Sequence, residues 1–96
     1  MKKDGILKTL ESLKECVRKQ YKAEIRGVFG SYVRGKAKRG SDIDILVDFY
    51  RGADLFDLVG LSTFLEKKLK RKVDIVSQAA LRKELKDEIL KETVYI

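Results

Sequence analysis

Every second residue of the segment 42–49 is apolar, and three of the four residues interleaved with them are aspartates. Successive side chains of a β-strand point to opposite faces of the sheet, so this period of two predicts a strand with one apolar face and one largely acidic face. The apolar positions are Ile43, Ile45, Val47 and Phe49, and the interleaved positions are Asp42, Asp44, Leu46 and Asp48.

Helical and strand patterns alternate along the rest of the chain. Apolar residues at helical spacing follow Asp4, which we interpret as an N-cap. The patterns predict helices over residues 5–19, 31–38, 58–69 and 81–92, and strands over 23–29, 42–49, 72–77 and 94–96. The length of 96 residues suits one domain, residues 1–96. We therefore expect an α+β fold with α/β-type alternation, in which helices flank a small mixed β-sheet.

The chain contains no histidine and one cysteine, Cys16. The missing histidine excludes Ser-His-Asp triads, Cys-His pairs and imidazole general bases. A single cysteine cannot form an intrachain disulfide or a cysteine-rich zinc site. Any catalysis must therefore use carboxylates, hydroxyls, lysine, arginine or an oxygen-ligated metal ion.

Asp42 and Asp44 flank one residue of the predicted acidic strand, so both carboxylates leave the same face. Two like charges this close repel unless a cation lies between them, and Mg²⁺ prefers oxygen ligands. Asp74 lies inside another apolar strand, Lys72–Ser77, and three carboxylates converge if the two strands pair. Such a cluster can bind two metal ions, and Asp74 is then the proton acceptor of choice. The alternative is that Asp42 caps a turn while Asp44 and Asp74 face solvent.

Gly30 and Ser31 end the first predicted strand and begin the short helix over residues 31–38. Glycine lets a backbone approach a phosphate, and a helix N-terminus offers free N–H groups. The Ser31 hydroxyl and the Arg34 guanidinium can add contacts to phosphate oxygens. The alternative is a serine N-cap beside a solvated arginine.

Gly30-Ser31, ten further residues and Asp42-Ile43-Asp44 form one combined motif. This motif resembles the GS-x10-DxD signature of the DNA polymerase beta-like nucleotidyltransferase superfamily, and the chain around it is similar to the minimal nucleotidyltransferases. The resemblance implies a fold like the polymerase beta palm. It also implies that Gly30 and Ser31 contact a triphosphate and that Asp42, Asp44 and Asp74 bind metal.

The resemblance further implies an enzyme that uses ATP and Mg²⁺, with two metal ions. Many members act as antitoxins by transferring AMP to a tyrosine of a HEPN ribonuclease toxin, so such a toxin is the implied partner. Two other functions remain open: an antitoxin that only occludes its toxin, and a small basic protein that binds nucleic acid.

The net charge of +7 is distributed unevenly, because residues 27–41 carry +4 and residues 42–65 carry −4. Larger relatives of the family have an added domain for gripping tRNA; we expect none here, which makes a long nucleic acid the less favoured acceptor. No apolar run approaches the ~20 residues of a membrane span, and the first residues do not lead into a signal-peptide core. We therefore expect a cytoplasmic protein without membrane contact. The sequence does not determine whether the protein forms homo-oligomers.

Overall fold

The structure is a computed structural model that describes residues 2–96, so Met1 of the predicted domain lies outside the described residues. Three α-helices, four β-strands and one short 3-10 turn follow one another along residues 2–96. In chain order they are α1 (Lys3–Tyr21), β1 (Ala23–Phe29), β2 (Ile43–Phe49), α2 (Leu55–Leu69), β3 (Val73–Ser77), the 3-10 turn Gln78–Ala80, α3 (Lys83–Glu92) and β4 (Val94–Tyr95).

The four strands form one mixed sheet in the order β3-β2-β1-β4. Strand β1 pairs antiparallel with β2 on one side and with β4 on the other. Strands β2 and β3 are parallel, and α2 connects them as a crossover helix. The predicted α+β class with a small mixed sheet is confirmed.

One face of the sheet packs against α1 and α2. Ile43, Ile45 and Val47 of β2 are fully buried there against apolar residues of both helices. The alternate positions of β2 point to the opposite face, so Asp44 leaves the core side of the sheet. The period of two in the sequence therefore correctly predicted which face of β2 carries carboxylates.

Strand β4 approaches β1 so closely that position 27 accepts only glycine. A Cβ atom at Gly27 would overlap the Val94 carbonyl oxygen and lie 2.8 Å from a methyl carbon of Thr93. The β1–β2 register also shifts between Ile25 and Gly27. This contact places the end of α3, which directly precedes β4, next to the end of β1.

Two predictions about local structure were wrong. Residues 31–38 do not form a helix: residues 31–35 form a turn, and residues 36–38 have no regular structure. Gly35 has φ +72°, which ends the turn, because a right-handed helix requires a negative φ. Asp4 is not the N-cap either, because α1 begins at Lys3 with Lys2 as its cap residue. The Asp4 charge lies instead in the first turn, where it still complements the helix dipole.

Candidate active site

Asp44 and Asp74 lie side by side at the start of the two parallel strands. They are register partners in the β2–β3 ladder, so their side chains project from the same face of the sheet. Asp42 directly precedes β2, and its carboxylate is near enough to affect the charge of Asp44. The pairing that the sequence left conditional is therefore present, and it groups the three aspartates at one end of the sheet.

The Asp44 carboxyl has an unusually high pKa. Burial and the negative charges of Asp74, Asp42 and Glu92 together raise the pKa of Asp44 to about 6, against the opposing effect of the Arg34 guanidinium. Burial disfavours a charged carboxylate, and neighbouring carboxylates repel it. The site therefore carries more negative charge than its own cations neutralise.

This donor set fits Mg²⁺, because its ligands are all carboxylate oxygens and a divalent cation offsets their repulsion. Among residues 2–96, no three acidic or cysteine side chains are already arranged around a common metal position. Asp42 and Asp74 are exposed, whereas Asp44 is half-buried. We therefore regard Asp44 as the fixed ligand and the other two as carboxylates that must reorient.

Gly30 directly follows β1 and lies against the Asp44 carboxylate. Its φ of +81° disfavours any L side chain, and a Cβ atom at this position would overlap the Asp44 carboxylate. Glycine is therefore required at this position for a reason that the sequence did not show: the absence of a side chain makes room for the Asp44 carboxylate.

The turn after Gly30 replaces the predicted helix N-terminus. The N–H groups of Val33 and Arg34 both donate to the Gly30 carbonyl oxygen, at 3.1 Å. Within the described part of the chain, the N–H groups of Ser31 and Tyr32 donate to no acceptor. Successive free N–H groups of a turn can bind an anion. The half-buried Ser31 hydroxyl also forms no hydrogen bond among residues 2–96. The two N–H groups and this hydroxyl are therefore available to a ligand.

Glu92, at the end of α3, accepts hydrogen bonds from Gly30 and Arg34, which the sequence had predicted to contact phosphate. The Gly30 N–H donates to Glu92 Oε2 at 3.0 Å, and Arg34 Nη1 donates to Glu92 Oε1 at 2.6 Å. The sequence did not predict a role for Glu92, because no local pattern relates it to Gly30, 62 residues away. Arg34 is thereby placed at the site, but it is paired rather than free.

A cavity of about 300 Å³ opens between the end of β1 and α3. It is lined by Gly30, Arg34, Asp44 and Glu92 together with Phe29, Glu88 and Ile89. Ser31, Asp42 and Asp74 do not line this cavity. It therefore joins the glycine turn to Asp44, and the other two aspartates lie outside it.

Comparisons with known proteins show which proteins this chain resembles. Residues 10–96 match the family described as nucleotidyltransferase domain. The protein adenylyltransferase MntA of Thermococcus cleftensis is 41% identical over 96 residues, which cover 92% of this chain and 96% of the relative. The match therefore extends over nearly the full length of both proteins.

Two solved structures have the same fold. A minimal nucleotidyltransferase superposes with a TM-score of 0.76 at 38% identity, over 94% of this chain and 95% of that one. A toxin–antitoxin crystal structure with AMP-PNP superposes with a TM-score of 0.70 at 25% identity, over 88% of this chain and 70% of that one.

No helix within residues 2–96 is long and apolar enough to cross a membrane.

Proposed function

The chain belongs to the nucleotidyltransferase domain family and is an enzyme of that class, and from its site we propose that it transfers AMP from ATP to a protein. The observation that carries this proposal is the register pairing of Asp44 with Asp74, next to the glycine turn. The close relative named as a protein adenylyltransferase supports the nature of the donor and of the acceptor.

We propose that the acceptor is a tyrosine of a HEPN ribonuclease toxin and that the chain acts as the antitoxin. Support comes from the resemblance to minimal nucleotidyltransferases and from the related toxin–antitoxin structure with AMP-PNP. The absence of histidine is consistent with this assignment, because the chain cannot itself be a histidine-dependent nuclease.

The glycine turn is proposed to bind the triphosphate. The N–H groups of Gly30, Ser31 and Tyr32 and the Ser31 hydroxyl would donate to phosphate oxygens, and Arg34 would add a charge-assisted contact. Glu92 accepts hydrogen bonds from two of these donors. The nucleotide must therefore displace the Glu92 carboxylate from Gly30 and Arg34.

Asp42, Asp44 and Asp74 are proposed to hold Mg²⁺. When bound, the metal would supply charge stabilisation and alignment for in-line displacement at phosphorus. In the transfer, a bond forms between the tyrosine oxygen and the α-phosphorus, and the bond from that phosphorus to the pyrophosphate oxygen breaks. The tyrosine proton passes to a carboxylate, for which we propose Asp74, the aspartate outside the Asp42–Asp44 pair.

The experiment that tests this proposal follows labelled AMP from ATP onto a co-expressed HEPN toxin in the presence of Mg²⁺. The variant Asp44→Asn keeps the size of the side chain but removes its charge, so transfer should fall by several orders of magnitude while the fold survives. Ser31→Ala should cost less, on the order of 1–2 kcal/mol of binding, because it removes one neutral hydrogen bond.

Toxin activity is measured in the same reactions to separate catalysis from occlusion. An enzymatic antitoxin requires that Asp44→Asn loses neutralisation together with labelling. A variant that labels nothing but still neutralises the toxin fully would show that occlusion is the mechanism. Pure occlusion has no need of paired carboxylates, which is why we favour catalysis.

A further inference from the structure

A second cavity, of about 630 Å³, lies outside the aspartate site and is strongly basic. It opens between the N-terminus of α1, the loop 31–41 and the turn that precedes β3. Its charged lining residues are Lys2, Lys3, Lys38, Arg39 and Arg71, and no acidic residue lines it. We call this cavity the basic groove.

The cations of the basic groove lack carboxylate partners. The ion pairs formed among residues 2–96 involve lysines and arginines elsewhere in the molecule, and none includes a cation of the groove. Five like charges that share one concave surface repel one another and attract anions. An anionic ligand would remove this repulsion.

The N-terminus of α1 increases the positive potential of the groove. Lys2 is the cap residue and makes no capping hydrogen bond through its side chain, and Lys3 is the first helical residue. The N-terminal end of a helix carries a partial positive charge, so cations there are destabilising while anions are stabilised. The single acidic residue of that turn, Asp4, is exposed and does not line the groove. The placement of two lysines here disfavours the free protein and favours an anion-bound one.

The loop 31–41 connects the groove to the aspartate site. Tyr32 and Val33 line the groove and directly follow Ser31, while Arg39 lines it three residues before Asp42. A polymer lying in the groove therefore passes beside the turn that we assign to the triphosphate.

We propose that the basic groove binds an acidic segment of the protein acceptor, adjacent to the residue that is modified. This inference rests on the proposed function, because it takes the acceptor to be a protein. Carboxylate side chains complement five unpaired cations. A nucleic acid fits less well, because Tyr32 is the one aromatic residue in the lining and its hydroxyl is engaged with the Ser41 carbonyl oxygen at 3.5 Å.

The first test compares two double charge reversals in AMP transfer to the co-expressed toxin. Lys38→Glu with Arg39→Glu changes the groove, and Lys19→Glu with Arg51→Glu makes the same change of net charge on exposed residues outside it. Lys19 lies about 24 Å along α1 from Lys3. We expect the groove variant to raise the KM for the acceptor about tenfold and to flatten its dependence on salt, because steering by charge is lost. Equal kinetics for the two variants would overturn the proposal.

The second test needs no catalysis, so its outcome does not depend on the proposed function. Fluorescence polarisation measures binding of a labelled peptide with eight glutamates around one tyrosine and, separately, of a labelled 15-nucleotide single-stranded RNA. The proposal requires that the peptide binds the wild-type protein and the control variant and that the groove variant loses it. Tighter binding of the RNA than of the peptide would contradict the proposal.

The nucleotide provides the last discrimination. ATP with Mg²⁺ should raise the melting temperature of the groove variant as much as that of the control variant, because the triphosphate site is separate from the groove. A groove variant that loses this shift would assign the groove to ATP and would overturn the acceptor assignment.

Discussion

Gly30 lies against the carboxylate of Asp44, with no room for a side chain between them. This contact joins the turn assigned to the triphosphate to the most deeply buried of the three aspartates. The Gly30 N–H group donates to Glu92, so this one residue contacts two carboxylates of the site.

We expect Gly30→Ala to abolish AMP transfer by displacing the Asp44 carboxylate. The positive φ should cost about 1–2 kcal/mol of stability, and the overlap is relieved when the Asp44 side chain rotates away. Gly40→Ala is the matched control, because Gly40 has φ +88° and nothing within 4 Å of an added Cβ. Chemical denaturation and labelled-AMP transfer would be measured for both. Similar losses of stability with unequal losses of transfer are expected; equal activity in the two variants would contradict the role of the contact.

The raised pKa of Asp44 predicts a pH-dependent effect of Asp44→Asn on the metal-free protein. Between about pH 4 and about pH 6 the folded protein holds this proton more tightly than the unfolded chain does. Ionisation of Asp44 therefore lowers the free energy of unfolding as the pH rises through this window. Asparagine cannot ionise. The free energy of unfolding of Asp44→Asn relative to that of wild type should therefore increase up to about pH 6 and stay constant above it.

Urea unfolding in EDTA from pH 4 to pH 7 measures this difference. Asp87→Asn is the control, because Asp87 is an exposed residue of α3 outside the aspartate cluster. If the difference in the free energy of unfolding between Asp44→Asn and wild type does not change with pH, ionisation of Asp44 does not destabilise the folded protein.

ATP should stabilise the protein against heat mainly when Mg²⁺ is present. A ligand that binds only the folded state adds RT ln(1 + [L]/Kd) to the free energy of unfolding. Without a divalent cation the triphosphate meets the uncompensated aspartates, so the shift in melting temperature should be much smaller. Thermal unfolding with ATP in Mg²⁺ or in EDTA tests this. Equal shifts of the melting temperature in Mg²⁺ and in EDTA would indicate that ATP binds to exposed lysines and arginines instead of to the aspartate site.

Glu92→Gln should bind ATP with Mg²⁺ more tightly than the wild-type protein does. Glu92 accepts hydrogen bonds from Gly30 and Arg34, so its negative charge competes with the triphosphate for the same two donors. Glu88→Gln is the matched control, since Glu88 lines the same cavity without a hydrogen bond to either donor among residues 2–96. Isothermal titration gives the two dissociation constants. Weaker binding by Glu92→Gln would show that Glu92 positions Arg34 for the nucleotide rather than competing with it.

The sequence by itself predicted the family, the class of enzyme and the α+β fold, and the comparisons confirm them. The strand 23–29 was predicted with its observed bounds, and the acidic face of β2 followed from its period of two. These features depend on neighbours close in the chain, where side-chain alternation alone fixes which face is buried. The helix predicted over residues 31–38 does not form, because Gly35 adopts a positive φ that the composition of the segment did not require.

Only the tertiary structure decided which groups meet at the site. Asp44 and Asp74 become neighbours because β2 and β3 pair in parallel, and the intervening helix α2 hides that register from the sequence. Glu92 reaches Gly30 because β4 docks on β1, and the basic groove draws its cations from three separate segments. Contacts of this kind depend on strand register and on packing between distant segments, so no pattern within one segment carries them.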